Sequence, residues 1–185
     1  QATRAIKQAF PETPVIWGGI HPSTAPEMCL QDADYVCIGE GDQTILDLAE
    51  ATQQGHSFRD VKNIGFLENG TLRRNPMHPL IANLDELPVG REMPENSFVM
   101  QRGAIAPLKK RDLVKYRRYR GGLYKIITSR GCPYACSYCV NSFLKSLYPH
   151  NPVRRRSVEN VMRALELAVR EGPRLIYLDI TDDCF

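Results

Sequence analysis

The sequence predicts an α/β fold laid out in two stretches, and three observations carry that prediction. Over residues 1–60, short apolar runs ending in glycine or polar residues alternate with segments of helical pattern. A Pro-rich, polar stretch then breaks the rhythm. A strand–loop–helix–strand unit follows over 123–185. Continuous apolar strands separated by helices are the pattern of parallel sheets covered on both faces.

Taken in order, Ala5, Ile6 and Phe10 suggest the end of an amphipathic helix, stopped by Pro11. "PVIWGG" (14–19) reads as a buried strand ending at two glycines, and "TAPEMCLQ" (24–31) as a short helix. "DYVCIGEGD" (34–42) repeats the strand-then-glycine arrangement. From Asp42 to Gln54, Ile45, Leu48 and Ala49 fall on one helical face, with Gly55 as the stop. In "NIGFLENGTLRRNP" (63–76), Asn69-Gly70 between two strand-like runs predicts a hairpin with a type I′ turn. The stretch 75–122, with Pro76, Pro79, Pro88 and Pro94, reads as a linker with few elements of its own.

The second rhythm opens with "LYKIITS" (123–129), a strand leading straight into a loop rich in cysteine. Ser157 is a helix N-cap with Glu159 in the first turn. Val158, Val161, Met162, Leu165 and Val169 form the apolar stripe, and Gly172-Pro173 ends that helix. "RLIYLDI" (174–180) is a strand with "TDDCF" at its C-terminal end. Two parallel strands do not make a stable sheet alone. The expectation is therefore a chain truncated at both ends: half of one α/β domain (1–74), a linker (75–122) and the start of another domain (123–185).

Composition narrows the function classes. The chain has 185 residues, 43% hydrophobic and 24% charged, with a net charge of +3. That balance suits a globular protein, and the charge is too small to argue for nucleic acid or an anionic membrane by itself. No apolar run approaches the roughly 20 residues that cross a bilayer, and no secretory signal is visible. "LKKRDLVKYRRYRGG" (108–122) mixes Lys and Arg with two tyrosines, a pattern that can track nucleic acid. A solvated linker face is the more economical reading, for this run and for Arg154-Arg155-Arg156.

Half of the six cysteines crowd into "RGCPYACSYC" (130–139) as Cys132-x3-Cys136-x2-Cys139. Cys29 and Cys37 sit in apolar surroundings. Such clustering favours a reducing, cytoplasmic setting and a metal or redox role over a disulfide scaffold. Thiolates bind zinc, copper(I) and iron–sulfur clusters. A closed zinc site needs a fourth ligand and a second arm. His150 is a candidate ligand, but no second arm exists. Three thiolates would leave one iron of a 4Fe–4S cubane open to a cofactor or substrate.

This spacing, placed after a first strand and with Tyr138 just before the last cysteine, resembles the signature of the radical S-adenosylmethionine superfamily. The resemblance implies that Cys132, Cys136 and Cys139 hold a 4Fe–4S cluster whose open iron chelates S-adenosylmethionine, with Tyr138 near the adenine. It also implies reductive cleavage to a 5′-deoxyadenosyl radical that abstracts hydrogen from a small-molecule substrate, and an electron donor such as flavodoxin or ferredoxin. Asp182 and Asp183 stand where such proteins often place polar groups near the cofactor's amino group.

The upstream order is also informative. "GGIHPSTAPE", then "DYVCIGEGD", then a hairpin, a linker and the cysteine loop, is similar to the cobalamin-binding subclass of that superfamily. Gly18-Gly19 match the position alongside the nucleotide tail, and Gly39-Glu40-Gly41 the next strand end. Asp42 replaces a commoner glutamate. His21 is read as a polar loop residue beside Pro22 rather than a cobalt ligand. The implied fold is the C-terminal half of a Rossmann-like cobalamin-binding domain followed by the start of a radical (βα) partial barrel. The implied chemistry is methyl transfer or a radical rearrangement such as ring formation. Two alternatives stay open: an enzyme like the transfer-RNA methylthiotransferases, and a non-catalytic zinc-binding module.

Overall fold

The computed structural model describes residues 2–89, 97–109, 112, 115, 122–171 and 175–184. The chain forms two compact units: residues 1–80 with 135–151, and residues 81–134 with 152–185. The division cuts across chain order, because the cysteine loop leaves the second unit after Tyr134 and enters the first at Ala135.

The first unit is built on a four-stranded mixed sheet of order β1-β2-β3-β4. Strands β1 (Ile16–Trp17) and β2 (Tyr35–Cys37) are parallel, while β3 (Ile64–Glu68) runs antiparallel to β2 and pairs with β4 (Thr71–Arg74). The predicted hairpin therefore extends the parallel pair rather than standing apart from it. Its turn has positive φ at Asn69 (51°) and Gly70 (76°), as a type I′ turn requires.

Because successive strand side chains alternate faces, Val36 and Cys37 serve different cores. On one face Cys37, Ile64 and Phe66 pack with Leu48 and Ala51 of helix α4 (Asp42–Gln54). On the other, Val36 and Ile38 pack with Cys29, Leu30, Trp17, Met77 and Leu147. Leu147 ends helix α5 (Val140–Leu147), which follows the cysteine loop.

In the first unit three helical segments differ from the sequence pattern. In α1 (Ala2–Ala9), Ala5, Ile6 and the following Phe10 are exposed and Thr3 is buried. Polar contacts hold that helix: Thr3 Oγ1 accepts from the Trp17 indole N–H at 2.9 Å, and Arg4 and Lys7 pair with Asp32 and Asp34. In α4 the buried residues are Thr44, Leu48 and Ala51, while Ile45 is 62% exposed and Ala49 also faces out. The segment 24–31 is not one helix. Two short turns, α2 (Ile20–Thr24) and α3 (Pro26–Cys29), meet at Ala25, whose φ of −138° is not helical.

The second unit pairs β7 (Leu123–Ile126) with β10 (Tyr177–Ile180) in parallel, as the strand–helix–strand pattern predicts, and the two-residue strands β8 (Ser129–Arg130) and β9 (Arg154–Arg155) antiparallel. Helix α6 (Val158–Glu171) starts at Ser157, whose hydroxyl accepts from Asn160 N–H at 3.1 Å, the predicted N-cap. Its contact face is narrower than the predicted stripe. Ala164 and Ala168 are buried against Tyr124 and Ile126, with Val161 and Leu165 alongside, whereas Val158, Met162 and Val169 are exposed. Small residues let the helix approach the strand closely, so the bulkier apolar positions fall outside the contact.

The stretch read as a linker is more structured than expected. It holds a 3₁₀ turn (Leu84–Glu86) and the hairpin β5 (Phe98–Gln101) and β6 (Ala104–Pro107), turning at Arg102 and Gly103, both of positive φ. The Asp85 carboxylate accepts from the Ser157 amide at 2.9 Å, and Leu84 is buried. Most of the basic run 108–122, together with Pro94 and Gly172-Pro173, lies outside the described residues. Arg154 and Arg156 are not a solvated face: Arg154 is buried and donates to Ile81 O, and Arg156 donates to Leu87 O and Asn160 Oδ1. Among the described residues no helix is long and apolar enough to cross a membrane.

Candidate functional site

The parallel register of β1 and β2 brings Gly18-Gly19 and Gly39-Glu40-Gly41 to the same C-terminal edge of the first unit. In open α/β sheets this is the edge where ligands bind. One residue missed in the sequence joins the two loops. Ser23, fully buried, accepts from the Gly39 amide at 3.0 Å and donates to Gly19 O at 2.7 Å.

Two of the four glycines are required, one by its backbone conformation and one also by its surroundings. Gly19 has φ +102°, and a Cβ there would meet nothing within 4 Å, so space beside it is open. Gly39 has φ +81°, and a Cβ there would come within 2.6 Å of Met77 Cε and 2.9 Å of Tyr148 Cζ. The protein's own tyrosine therefore fills the place beside Gly39. Gly18 and Gly41 would accept a Cβ at ordinary contact distances of 3.7 and 3.5 Å from Cys37.

Tyr148, just past α5, is also absent from the sequence reading. Its hydroxyl accepts from the Glu40 amide at 3.0 Å and lies 3.5 Å from Asn63 Nδ2. Burial pushes the phenol's pKa up, and these donors only partly offset it. Buried Asn63 donates to Ile38 O at 3.0 Å and to Glu40 O at 2.9 Å, fixing the β2 exit from the other side. No local pattern marks either residue, since their partners are 108 and 25 positions away. His21 is exposed on α2.

The cysteine loop is divided between the units. In the second unit Cys132 is buried, 8% exposed, and follows Gly131, whose φ is +93°. In the first unit Cys136 and Cys139 close one turn. The Cys139 amide donates to Cys136 O at 3.1 Å, and the Ser142 hydroxyl donates to the same carbonyl at 2.8 Å. Cys139 is the N-cap of α5, at the positive end of the helix dipole. Tyr138 is 91% exposed. Among the described residues no three His, Cys, Asp or Glu side chains converge closely enough to hold a metal ion. The donor set itself suits an iron–sulfur cluster: all six cysteines are free thiols, and three share this loop.

In the second unit Thr181, Asp182 and Asp183 follow β10, beside the end of β7. The Asp182 carboxylate is already occupied. Oδ1 accepts from the amides of Thr128 (2.6 Å) and Ser129 (3.1 Å), and Oδ2 accepts from both hydroxyls, that of Ser129 at 2.9 Å. A carboxylate has about four acceptor positions, so these donors exhaust it. Burial alone would raise its pKa; the Thr128 and Ser129 hydrogen bonds outweigh that and hold it below the ordinary value. Asp183 is exposed.

Against known proteins, residues 1–49 match the B12 binding domain family. The chain is 30% identical over 156 residues to the uncharacterized methyltransferase PH0819 of Pyrococcus horikoshii, covering 83% of this chain and 30% of that protein. The anaerobic magnesium-protoporphyrin IX monomethyl ester cyclase of Synechocystis is 27% identical over 141 residues, covering 74% of this chain and 25% of the cyclase. The fold matches that of the radical S-adenosylmethionine methyltransferase TsrM from Kitasatospora setae, with a TM-score of 0.65 and 23% identity over 97% of this chain and 32% of that one. The chain thus spans about a third or less of the length of these proteins.

Proposed function

We propose that this chain is part of a cobalamin-dependent radical S-adenosylmethionine enzyme acting on a small-molecule substrate. Cys132, Cys136 and Cys139 are the cluster ligands. The resemblance assigns Tyr138 and Asp183 to cofactor contact, and both are exposed. Gly18-Gly19 and Gly39-Glu40-Gly41 form the cobalamin-facing edge, where open space beside Gly19 favours ligand approach and Tyr148 fixes the backbone at Glu40. In domain terms, residues 1–74 form the cobalamin-binding part and 123–185 the opening of the radical barrel. The named relatives favour methyl transfer, with cyclisation as the second reading.

The cysteine spacing carries the proposal. Three thiols in one loop satisfy three irons and leave the fourth without a protein ligand. When bound, the cluster, S-adenosylmethionine and cobalamin would supply the one-electron and methyl-group chemistry, and the protein's task is to hold and orient them. The chain's part in this is concrete. Gly131 lets the backbone turn into Cys132, the Cys136–Cys139 turn sets two ligands a fixed distance apart, and Ser23 holds the two glycine loops together. The unpaired thiols suit a reducing cytoplasm and an electron donor of the flavodoxin or ferredoxin kind.

The test is metal and cofactor analysis of the full-length protein after anaerobic purification and reconstitution. The expected result is four irons with matching acid-labile sulfide, and bound cobalamin. Zinc at one per chain with no sulfide would overturn the reading in favour of a zinc-binding module.

A further inference from the structure

We infer that Asp182 is a positioning residue that sets the path of the chain into Cys132, rather than a group that grips the cofactor. The inference rests on the cluster reading above and goes beyond it by assigning this carboxylate a different task from its neighbour.

The geometry lies wholly within the second unit. Four donors converge on one side chain: the amides and hydroxyls of Thr128 and Ser129, 54 and 53 residues away in sequence. An ionised carboxylate only accepts, so it suits four donors and no acceptor. Its acceptor positions are then spent within the protein, and a cofactor ammonium would have to displace one of these hydrogen bonds. Thr128 and Ser129 are the last residues before Arg130, Gly131 and Cys132. Two further contacts hold the same segment: Ser129 and Arg130 pair antiparallel with Arg155 and Arg154, and Thr128 O accepts from the Arg156 amide at 2.8 Å. The clasp therefore ties the end of β10 to Thr128 and Ser129, four and three positions ahead of the first cysteine. Asp183, next in sequence and exposed, keeps its carboxylate outside this network.

Asparagine and alanine at position 182 separate the two roles. Asn Oδ1 still accepts both amides, and its NH₂ donates to hydroxyls that rotate to accept, so Asp182→Asn preserves the clasp while removing the charge. Asp182→Ala removes both. The first readout needs no cofactor: the alkylation rate of Cys132 in metal-free full-length protein, by mass spectrometry, with Cys136 as internal reference. Asp182→Ala is expected to speed alkylation of Cys132 relative to Cys136 by about tenfold, and Asp182→Asn by less than about threefold, since only loss of the clasp opens the segment. An unchanged ratio in Asp182→Ala overturns the inference.

The second readout is S-adenosylmethionine affinity of the reconstituted protein. Asp182→Asn is expected to bind within about threefold of wild type; a loss of about thirtyfold at full iron content, as for a lost charged hydrogen bond, would make Asp182 a cofactor contact and overturn the inference. If Asp182→Ala does not fold, Thr128→Val with Ser129→Ala removes the two hydroxyl donors. That pair should then raise the Cys132 ratio, and an unchanged ratio contradicts the clasp. Wild-type protein that takes up no iron defeats the cluster reading alone, because the alkylation readout stands without it.

Discussion

At the ends of β1 and β2, the two loops are joined by Ser23, a neutral hydroxyl that accepts from one and donates to the other. At the ends of β7 and β10, the join is made by Asp182, which accepts from four donors and donates to none. Both edges offer small or polar residues at the C-terminal ends of adjacent parallel strands, and in sequence they look alike. The difference is in electrostatics and in room. The first edge is uncharged at its join and open beside Gly19, with Tyr148 closing the place beside Gly39. The second concentrates a half-buried negative charge at its join and leaves the exposed carboxylate to Asp183. Residues that resemble ligand contacts in sequence can therefore be committed to the protein's own backbone.

The sharpest way to break this comparison is Gly39→Ala. Positive φ and the close approach of Met77 and Tyr148 act together, so the variant should lose about 2–4 kcal/mol of stability in chemical denaturation. A loss below about 1 kcal/mol would mean that Tyr148 does not pack there.

Next in size is an acid effect confined to the second edge. Asp182 has a lowered pKa, so its contribution is fully present above the ordinary carboxylate value, near 3.9, and fades as pH falls through the folded value. Thermal melts of wild type and Asp182→Asn should therefore converge as pH drops below about 4. Ser23→Ala, lacking any titratable join, should stay a constant distance below wild type over the same range.

The smallest effects sharpen the contrast within the first edge. Gly19→Ala should cost about 1 kcal/mol from dihedral strain alone, because no atom crowds the site. Gly18→Ala should be within about 0.5 kcal/mol of wild type. In cobalamin titrations followed by fluorescence of Trp17, the single tryptophan, Gly19→Ala should weaken binding more than Gly18→Ala does. Equal effects would remove Gly19 from the ligand edge.

Local chemistry explains what was legible in the sequence. Asn69-Gly70 demands a particular turn, Ser157 caps a helix, and the spacing of Cys132, Cys136 and Cys139 limits the metal chemistry, all within a few residues. The helical faces are less legible because apolar pattern does not register buried polar side chains. Thr3 and Thr44 are buried with partners at Trp17 and Lys62, 14 and 18 positions away, while Ile45 and Val158 are exposed. Tyr148 and Asp182 extend the same lesson to the site: their hydrogen-bond partners lie 108 and 54 positions away.

In the proposed function the three-cysteine loop holds a cluster at which S-adenosylmethionine is cleaved. Reconstituted full-length protein and its Cys136→Ala variant, each supplied with S-adenosylmethionine and a strong reductant, test it by the yield of 5′-deoxyadenosine. Wild type should release 5′-deoxyadenosine while the variant stays at the level of a protein-free control. Equal release from the two proteins would contradict the assignment.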